Sequence, residues 1–436
     1  MLIDNDKIVA QLEKIADHYL LHDRRIVARC DDSVQRKVAG DFVFLRRSRG
    51  FVPQGLERAI GDEPLLALGA ESDLTFALYD RNLITLSQHI GNVDDLETLA
   101  FLRGAIRHLN EITRGRSPAI IACDTHPQFL TTQLADELAA KTGAQVVRVQ
   151  HHVAHLAPVM VENELDQAVG VILDGYGYGT DGTAWGGEIF VSKDALIERV
   201  GSLQPVRLPG GDLAARQPLR MAASLLFAAE ENPSDITGKL IKRGIDRTEA
   251  ELLMKQIEGG VNSPFTTSAG RFLDAVAAWL GICRVRTYEG EPAMRLEAAA
   301  IQGCAYSVST RFVFEAGIPR LDTAGMFEQL VQLSETVSIQ DVAATAQEAL
   351  AQGMAALAMK IAEERGISSI ALSGGVAYND HIASRVRDLS ESNGYRFFTN
   401  HLVPCGDGGI SLGQAAYAGL GYRLVDGGGA ASRKDN

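Results

Sequence analysis

Residues Val169–Val191 read VGVILDGYGYGTDGTAWGGEIFV. The stretch divides into three parts. Val169–Leu173 is an unbroken apolar run, the pattern of a buried strand. Asp174–Thr183 is a glycine loop, and Ala184–Val191 is a second strand that closes a hairpin. Alternating glycines let backbone N–H groups approach a phosphate, and carboxylates can hold a cation beside it. Asp174, Gly177, Gly179 and Asp181 are the candidates. A glycine-rich hairpin turn is the plain alternative. Ligands in layered α/β proteins collect at the ends of such strands, so the expected fold class is α/β.

Upstream, Val149–His155 reads VQHHVAH and follows a strand expected at Gln145–Val149. His151 and His155 are four apart, so a helix puts both imidazoles on one face. Neutral imidazole binds divalent transition metals. Histidines capping a polar helix end are the competing reading. His152 points to another face and is expected to be structural. Downstream, Leu372–Asn379 (LSGGVAYN) runs from a strand through Gly374 and Gly375 into a helix, a turn suited to a phosphate or nucleoside. Pro404–Ile410 (PCGDGGI) sets Asp407 before another helix. N-capping is its plain role; a metal-binding carboxylate opposite the histidines is the functional one. Cys405 is expected to pack rather than to act as a nucleophile.

The rest of the chain supplies the scaffold. Residues 6–20 place Ile8, Leu12, Ile15 and Tyr19 on one helical face. Strands are expected at Ile26–Arg29 and Phe42–Arg46, before a basic turn at Arg46–Gly50. So short a segment cannot enclose a core alone. From Pro64 onward strands and helices alternate. Residues from about 210 to 350 turn helical, and the strand–helix pattern returns at Ile370. Two strand-ended glycine loops with a helical section between them describe the two-lobed architecture of actin, sugar kinases and heat-shock ATPases. The lobes are expected at about 60–205 and 206–425, with a cleft that clamps a nucleotide. A disordered tail is expected over 426–436.

The 436 residues carry 42 Lys+Arg against 55 Asp+Glu, a net charge of −13, which argues against a non-specific nucleic-acid binder. No apolar run approaches the ~18 residues of a membrane span. The first residues lack a basic-then-apolar leader pattern. The five cysteines form no Cys-x-x-Cys pair, so neither a disulfide framework nor a zinc ribbon is expected. These features fit a cytoplasmic enzyme.

Several strings together resemble the HypF carbamoyltransferase family of hydrogenase maturation. They are LRRSRGFVP, LALGAE, LSQHIG, ACDTHPQF, VQHHVAH, LDGYGYGTDGTAWGGE, AGRFLDAVAAWLG, ALSGGVAYN and GDGGISLGQ, in the family's order over about residues 31–417. The resemblance implies a Kae1-like domain over 60–425, preceded at 1–55 by the end of a YrdC-like domain. It implies transfer of the carbamoyl group of carbamoyl adenylate, made from carbamoyl phosphate and ATP, to the C-terminal cysteine of the partner HypE, where it becomes a cyanide ligand. By motif match His151, His155 and Asp407 would hold a divalent metal (iron, zinc or magnesium), and Asp174 would assist with metal or phosphate. Asp274 and Glu297 would face the ribose or adenine of ATP, AMP or carbamoyl adenylate. Gly374, Gly375 and Asn379 would lie beside the nucleotide, and the amides of Gly177–Gly179 would stabilise the leaving phosphate. Three departures stand out: Asp73 where the family has Lys, Arg295 where it has Glu, and Pro158, expected to distort the histidine helix. An O-carbamoyltransferase acting on a small-molecule hydroxyl, a tRNA threonylcarbamoyl transferase and a non-catalytic nucleotide- and HypE-binding scaffold are the competing readings.

Overall fold

The computed structural model describes residues 2–315 and 317–426, so the expected tail lies, beyond Asp426, outside the described residues. A helix at Asn5–Leu12 opens the chain and buries none of its residues. It does not continue to Leu20 as expected, and Ile15 is 79% exposed. With nothing packed on its apolar face, so short a helix has little to extend it. A two-stranded hairpin follows, β1 (Val34–Val38) and β2 (Asp41–Arg46). The strand expected at Ile26–Arg29 is not formed, and the polar run VQRKV pairs with β2 instead.

The hairpin is stapled to a distant part of the chain. Arg36 grips both oxygens of Glu297 at 2.8 and 3.3 Å. The Ala39 amide donates to Asp380 Oδ1 at 2.8 Å, and Arg387 donates to the Ala39 carbonyl.

The first of two large sheets contains β3 (Gly55–Glu57), β4 (Leu65–Ala67), β5 (Ala77–Asp80), β6 (Leu83–Leu86), β7 (Ile120–Asp124) and β8 (Gln145–Val149), in the order β3-β6-β5-β4-β7-β8. Strands β4 to β6 form an antiparallel meander, and β7 and β8 add in parallel on the other side of β4. The second sheet is built on β9 (Gln167–Tyr178), β10 (Ala184–Lys193) and β11 (Leu196–Leu203). Short strands β12 (Val206–Arg207), β13 (Phe265–Thr266), β14 (Phe312–Glu315) and β15 (Ile318–Leu321) lie along its edge, then come β16 (Ser369–Ser373), β17 (Arg396–Phe398) and β18 (Arg423–Asp426). Its central order, β11-β10-β9-β16-β17, repeats the plan of the first: an antiparallel meander with two parallel strands added beside its first strand. The protein therefore has the two-lobed α/β fold expected of it.

The lobe boundary differs from the expected 205/206. Strands β9 to β11 belong to the second sheet because β9 pairs with β16, about two hundred residues on. The crossing falls between the helix His151–Glu162 and Gln167. That helix is buried all round over His151–Val161, as a helix enclosed by other elements must be. Pro158 does not break it. The helix Ile410–Leu420 returns from the end of the chain and packs against it. Among the described residues, no helix is long and apolar enough to cross a membrane.

Candidate metal centre

The histidine helix begins at a side-chain cap. Gln150 Oε1 accepts from the amides of His152 at 2.8 Å and Val153 at 3.0 Å, satisfying two otherwise free N–H groups of the first turn. The i,i+4 spacing then brings the rings of His151 and His155 to 4.9 Å between centroids. Asp124, at the end of β7, takes a hydrogen bond from His151 Nδ1 at 2.9 Å. This fixes the ring and turns its Nε2 lone pair inward.

Two carboxylates face those nitrogens. Asp174 Oδ2, on β9, lies 3.5 Å from His151 Nε2 and 3.8 Å from His155 Nε2. Asp407 Oδ1, in the loop before the last long helix, lies 3.7 and 3.6 Å from the same two atoms. One donor atom from each of the four residues fits within 4.8 Å of all the others. Donors around a tetrahedral ion with bonds of about 2.1 Å stand roughly 3.4 Å apart, so the spacing suits a cation. The Nε2 atoms of His151 and His155 are buried without a hydrogen-bond partner among the described residues, which a cation would satisfy. Two imidazoles and two carboxylates suit zinc, iron or manganese better than an all-oxygen ion such as magnesium.

The charges agree. Burial opposes a charge on His151, but the Asp124 hydrogen bond and the nearby carboxylates of Asp174 and Asp407 prevail, holding its imidazole well above the usual range, so without a cation a proton takes the place at Nε2 that a cation would occupy. Asp174 goes the other way: burial would raise it, but the surrounding histidines hold it far below a normal carboxyl. Two further carboxyls feel the cluster's charge. Burial, then the charges of Asp407 and Asp174, raise the Glu289 carboxyl. Asp73, at φ 45°, is raised first by burial and further by Asp407, against the pull of His89.

The glycine loop is divided in its role. A Cβ on Gly177 would stand 2.3 Å from His152 Cε1 and 2.8 Å from His151 Cδ2. Glycine is required there for β9 to reach the histidine helix. The Gly179 amide donates to the Thr183 carbonyl at 2.9 Å, so that N–H, expected to meet a phosphate, closes a turn instead. Asp181 accepts from Thr183 N at 3.0 Å and Trp185 Nε1 at 3.0 Å, and lies 3.4 Å from Arg199. The far end of the loop is thus the hairpin turn of the plain reading, and only Asp174 enters the cluster.

The second glycine turn supports Asp174. Gly375 N–H donates to Asp174 Oδ1 at 2.9 Å, leaving Oδ2 for the cluster. Gly374 has φ +95°, and a Cβ there would stand 2.3 Å from the Leu173 carbonyl. Asn379 and Glu297, also expected beside the nucleotide, have hydrogen-bond partners within the protein. Asn379 caps the helix Asp380–Ser392 through Ile382 N at 2.9 Å and donates to Gln347 at 2.7 Å. Glu297 is engaged with Arg36 and with the Asp380 amide at 3.0 Å. Asp274 is buried 2.9 Å from Arg271, whose guanidinium lies against Gly175.

Asp124 was not singled out as a functional residue from the sequence. Its one signal is its place at the end of an apolar strand. Cys405 is buried beside Tyr378, and burial pushes its thiol far up, in keeping with a packing role.

The fold and centre define a class: a two-lobed actin-like protein with a buried His–Asp cluster where the lobes meet. Comparison with known proteins narrows it. Residues 61–162 match the HypF Kae1-like domain, and residues 170–414 match the second subdomain of the carbamoyltransferase Kae1-like domain. A probable carbamoyltransferase HypF of Methanocaldococcus jannaschii is 42% identical over 98% of this chain and 55% of its own length. A carbamoyltransferase HypF homolog of Cupriavidus necator is 35% identical over 84% of this chain and 92% of its own. A crystal structure of full-length HypF in a phosphate- and nucleotide-bound form superposes with a TM-score of 0.89 at 33% identity, over 95% of this chain and 54% of that one. The chain belongs to the HypF carbamoyltransferase family. It spans about half the length of the Methanocaldococcus relative.

Proposed function

We propose that this chain carries out the transfer step of carbamoyl chemistry in nickel–iron hydrogenase maturation. The carbamoyl group leaves carbamoyl adenylate and is received by the C-terminal cysteine thiolate of HypE, in the cytoplasm. The observation that supports this most is the four-donor cluster of His151, His155, Asp174 and Asp407, spaced for one cation where the lobes meet. In this reading residues 60–425 are the Kae1-like domain and 1–55 the end of a YrdC-like domain.

A divalent ion held by His151, His155 and Asp407, with Asp174, would supply Lewis-acid polarisation of a carbonyl oxygen. The chain's own residues do the rest. Asp124 keeps His151 in the tautomer whose Nε2 is free to ligate. The Gly375 amide and Asp174 join the nucleotide-side turn to the metal side. Gly374 and Gly375 would border the nucleotide, with Asp274 and Arg271 beyond them. The buried Cys405 thiol is no nucleophile, so the attacking sulfur arrives with the acceptor. The thiolate adds to the carbamoyl carbon, the bond to the phosphate oxygen breaks, and AMP leaves.

The test supplies carbamoyl adenylate and follows HypE cysteine carbamoylation by mass spectrometry. Carbamoyl adenylate should support transfer of the carbamoyl group to the HypE cysteine. Absence of labelling from the adenylate would sink the transfer reading.

A further inference from the structure

Three histidines lie in the string VQHHVAH, and the cation site uses only two. His152 is fully buried, and the structure gives it a definite orientation of donor and acceptor. Its Nδ1 lies 3.2 Å from Gln150 Nε2. The Gln150 carboxamide cannot be turned round, because its oxygen already accepts the amides of His152 and Val153. The same Nε2 donates to the Tyr178 carbonyl at 3.1 Å. Gln150 therefore offers His152 an N–H, and His152 Nδ1 must accept it. A neutral imidazole that accepts at Nδ1 carries its proton on Nε2.

That Nε2–H is buried and has no hydrogen-bond partner among the described residues. It lies 3.8 Å from Asp174 Oδ2, the oxygen that also faces His151 and His155. The ring has little room to turn, since Gly177 packs directly against His152 Cε1. His151 is arranged in the opposite sense: its Nδ1–H goes to Asp124 and its Nε2 lone pair faces the cluster. Adjacent histidines thus present opposite faces of the same chemistry, one a lone pair for a cation and one an N–H that faces a carboxylate oxygen 3.8 Å away.

We infer that His152 is a positioning residue whose fixed Nε2–H is aimed at Asp174 Oδ2, with Gln150 as the group that sets its tautomer. Asp174 is then bonded by the Gly375 amide on Oδ1 at 2.9 Å and faced by the His152 Nε2–H on the Oδ2 side at 3.8 Å. It offers the cation one oxygen rather than two. The proton on His152 also excludes that ring from the cation's ligands. This assignment rests on the reading of the cluster as a cation site, but its tests do not need carbamoyl transfer.

The test uses the full chain with 15N-labelled histidine and two-bond proton–nitrogen correlation, first without metal and then with zinc. His152, assigned by its loss in His152→Gln, should show the Nε2–H tautomer in both states. The His151 and His155 Nε2 signals should shift with zinc as ligands do. An Nδ1–H tautomer, or a ligand-type shift at His152 Nε2, would overturn the assignment. Zinc affinity provides a second reading. His152→Gln, which keeps an N–H donor, should stay within about threefold of the parent, whereas His152→Leu should bind roughly 10- to 100-fold more weakly. Parent-like zinc affinity in His152→Leu would also overturn it. If the leucine variant does not fold, the tautomer of the unmodified protein decides the matter. A parent protein that binds no zinc, iron or manganese would instead count against the metal centre itself.

Discussion

A methyl group on Gly413 would stand 1.9 Å from the carbonyl oxygen of Ala154. These residues mark where the helix after Asp407 crosses the helix that carries His151 and His155. Ala154 sits directly before His155, so the closeness of the two backbones sets how near Asp407 comes to the imidazoles. Gly413→Ala should push the helices apart, costing about 1–3 kcal/mol in stability and weakening metal binding together. Thermal unfolding and zinc titration would show both. A variant with parent-like melting and metal affinity would mean that the crossing does not set the ligand spacing.

Removal of a ligand should separate chemistry from folding. His151→Ala and Asp407→Asn should each lose bound metal and reduce carbamoyl transfer at least about a hundredfold. Circular dichroism should remain that of the parent, since neither side chain contributes to the apolar core. Full transfer rates in a variant that has lost its metal would dissociate the cluster from the reaction.

Glu162 ends the histidine helix and accepts the amides of His401 at 3.2 Å and Leu402 at 2.7 Å. It thereby ties that helix to the segment leading to Asp407. Burial outweighs these hydrogen bonds and pushes its carboxyl up from 4.5 to about 7. The folded state therefore binds a proton that the unfolded chain has already released. This contribution is fully present below the unfolded value of 4.5 and is lost as the pH rises through about 7. Melting temperature should fall across that window in the parent and fall less in Glu162→Gln. Equal slopes in the two proteins would show that Glu162 does not titrate there.

Millimolar AMP or ATP with a divalent cation should raise the melting temperature by about 2–5 °C. The reason is the turn at Gly374 and Gly375, joined to Asp174 on the metal side. No shift with any nucleotide would argue against a nucleotide in this cleft.

The parts of the site legible in sequence were those whose signal is local. His151 and His155 announce themselves by helical spacing, and Asp407 by a glycine-flanked position before a helix. Asp174 stands where a buried strand gives way to glycine. Gly179 and Asp181 show the limit of that logic, because a hairpin turn and a phosphate loop draw on the same residues. Glu297, expected beside the nucleotide from the family resemblance, pairs with Arg36 from 261 positions away, a contact no local pattern encodes. The lobe boundary was misplaced for a similar reason: which sheet β9 to β11 join is decided by pairing with β16, and no local pattern encodes a parallel partner so distant. Asp124 carried no periodicity of its own.

The staple between Arg36 and Glu297 has a consequence for synthesis on the ribosome. The hairpin that bears Arg36 emerges long before its seat exists, with 261 positions still to be made before Glu297 and the Asp380 and Arg387 contacts later still. At about 5–20 residues per second that interval is roughly 13–50 seconds. During it Phe42, 68% exposed even in the finished fold, waits without the contacts that seat its hairpin. The hairpin is thus a late-docking piece, complete well before the residues that seat it.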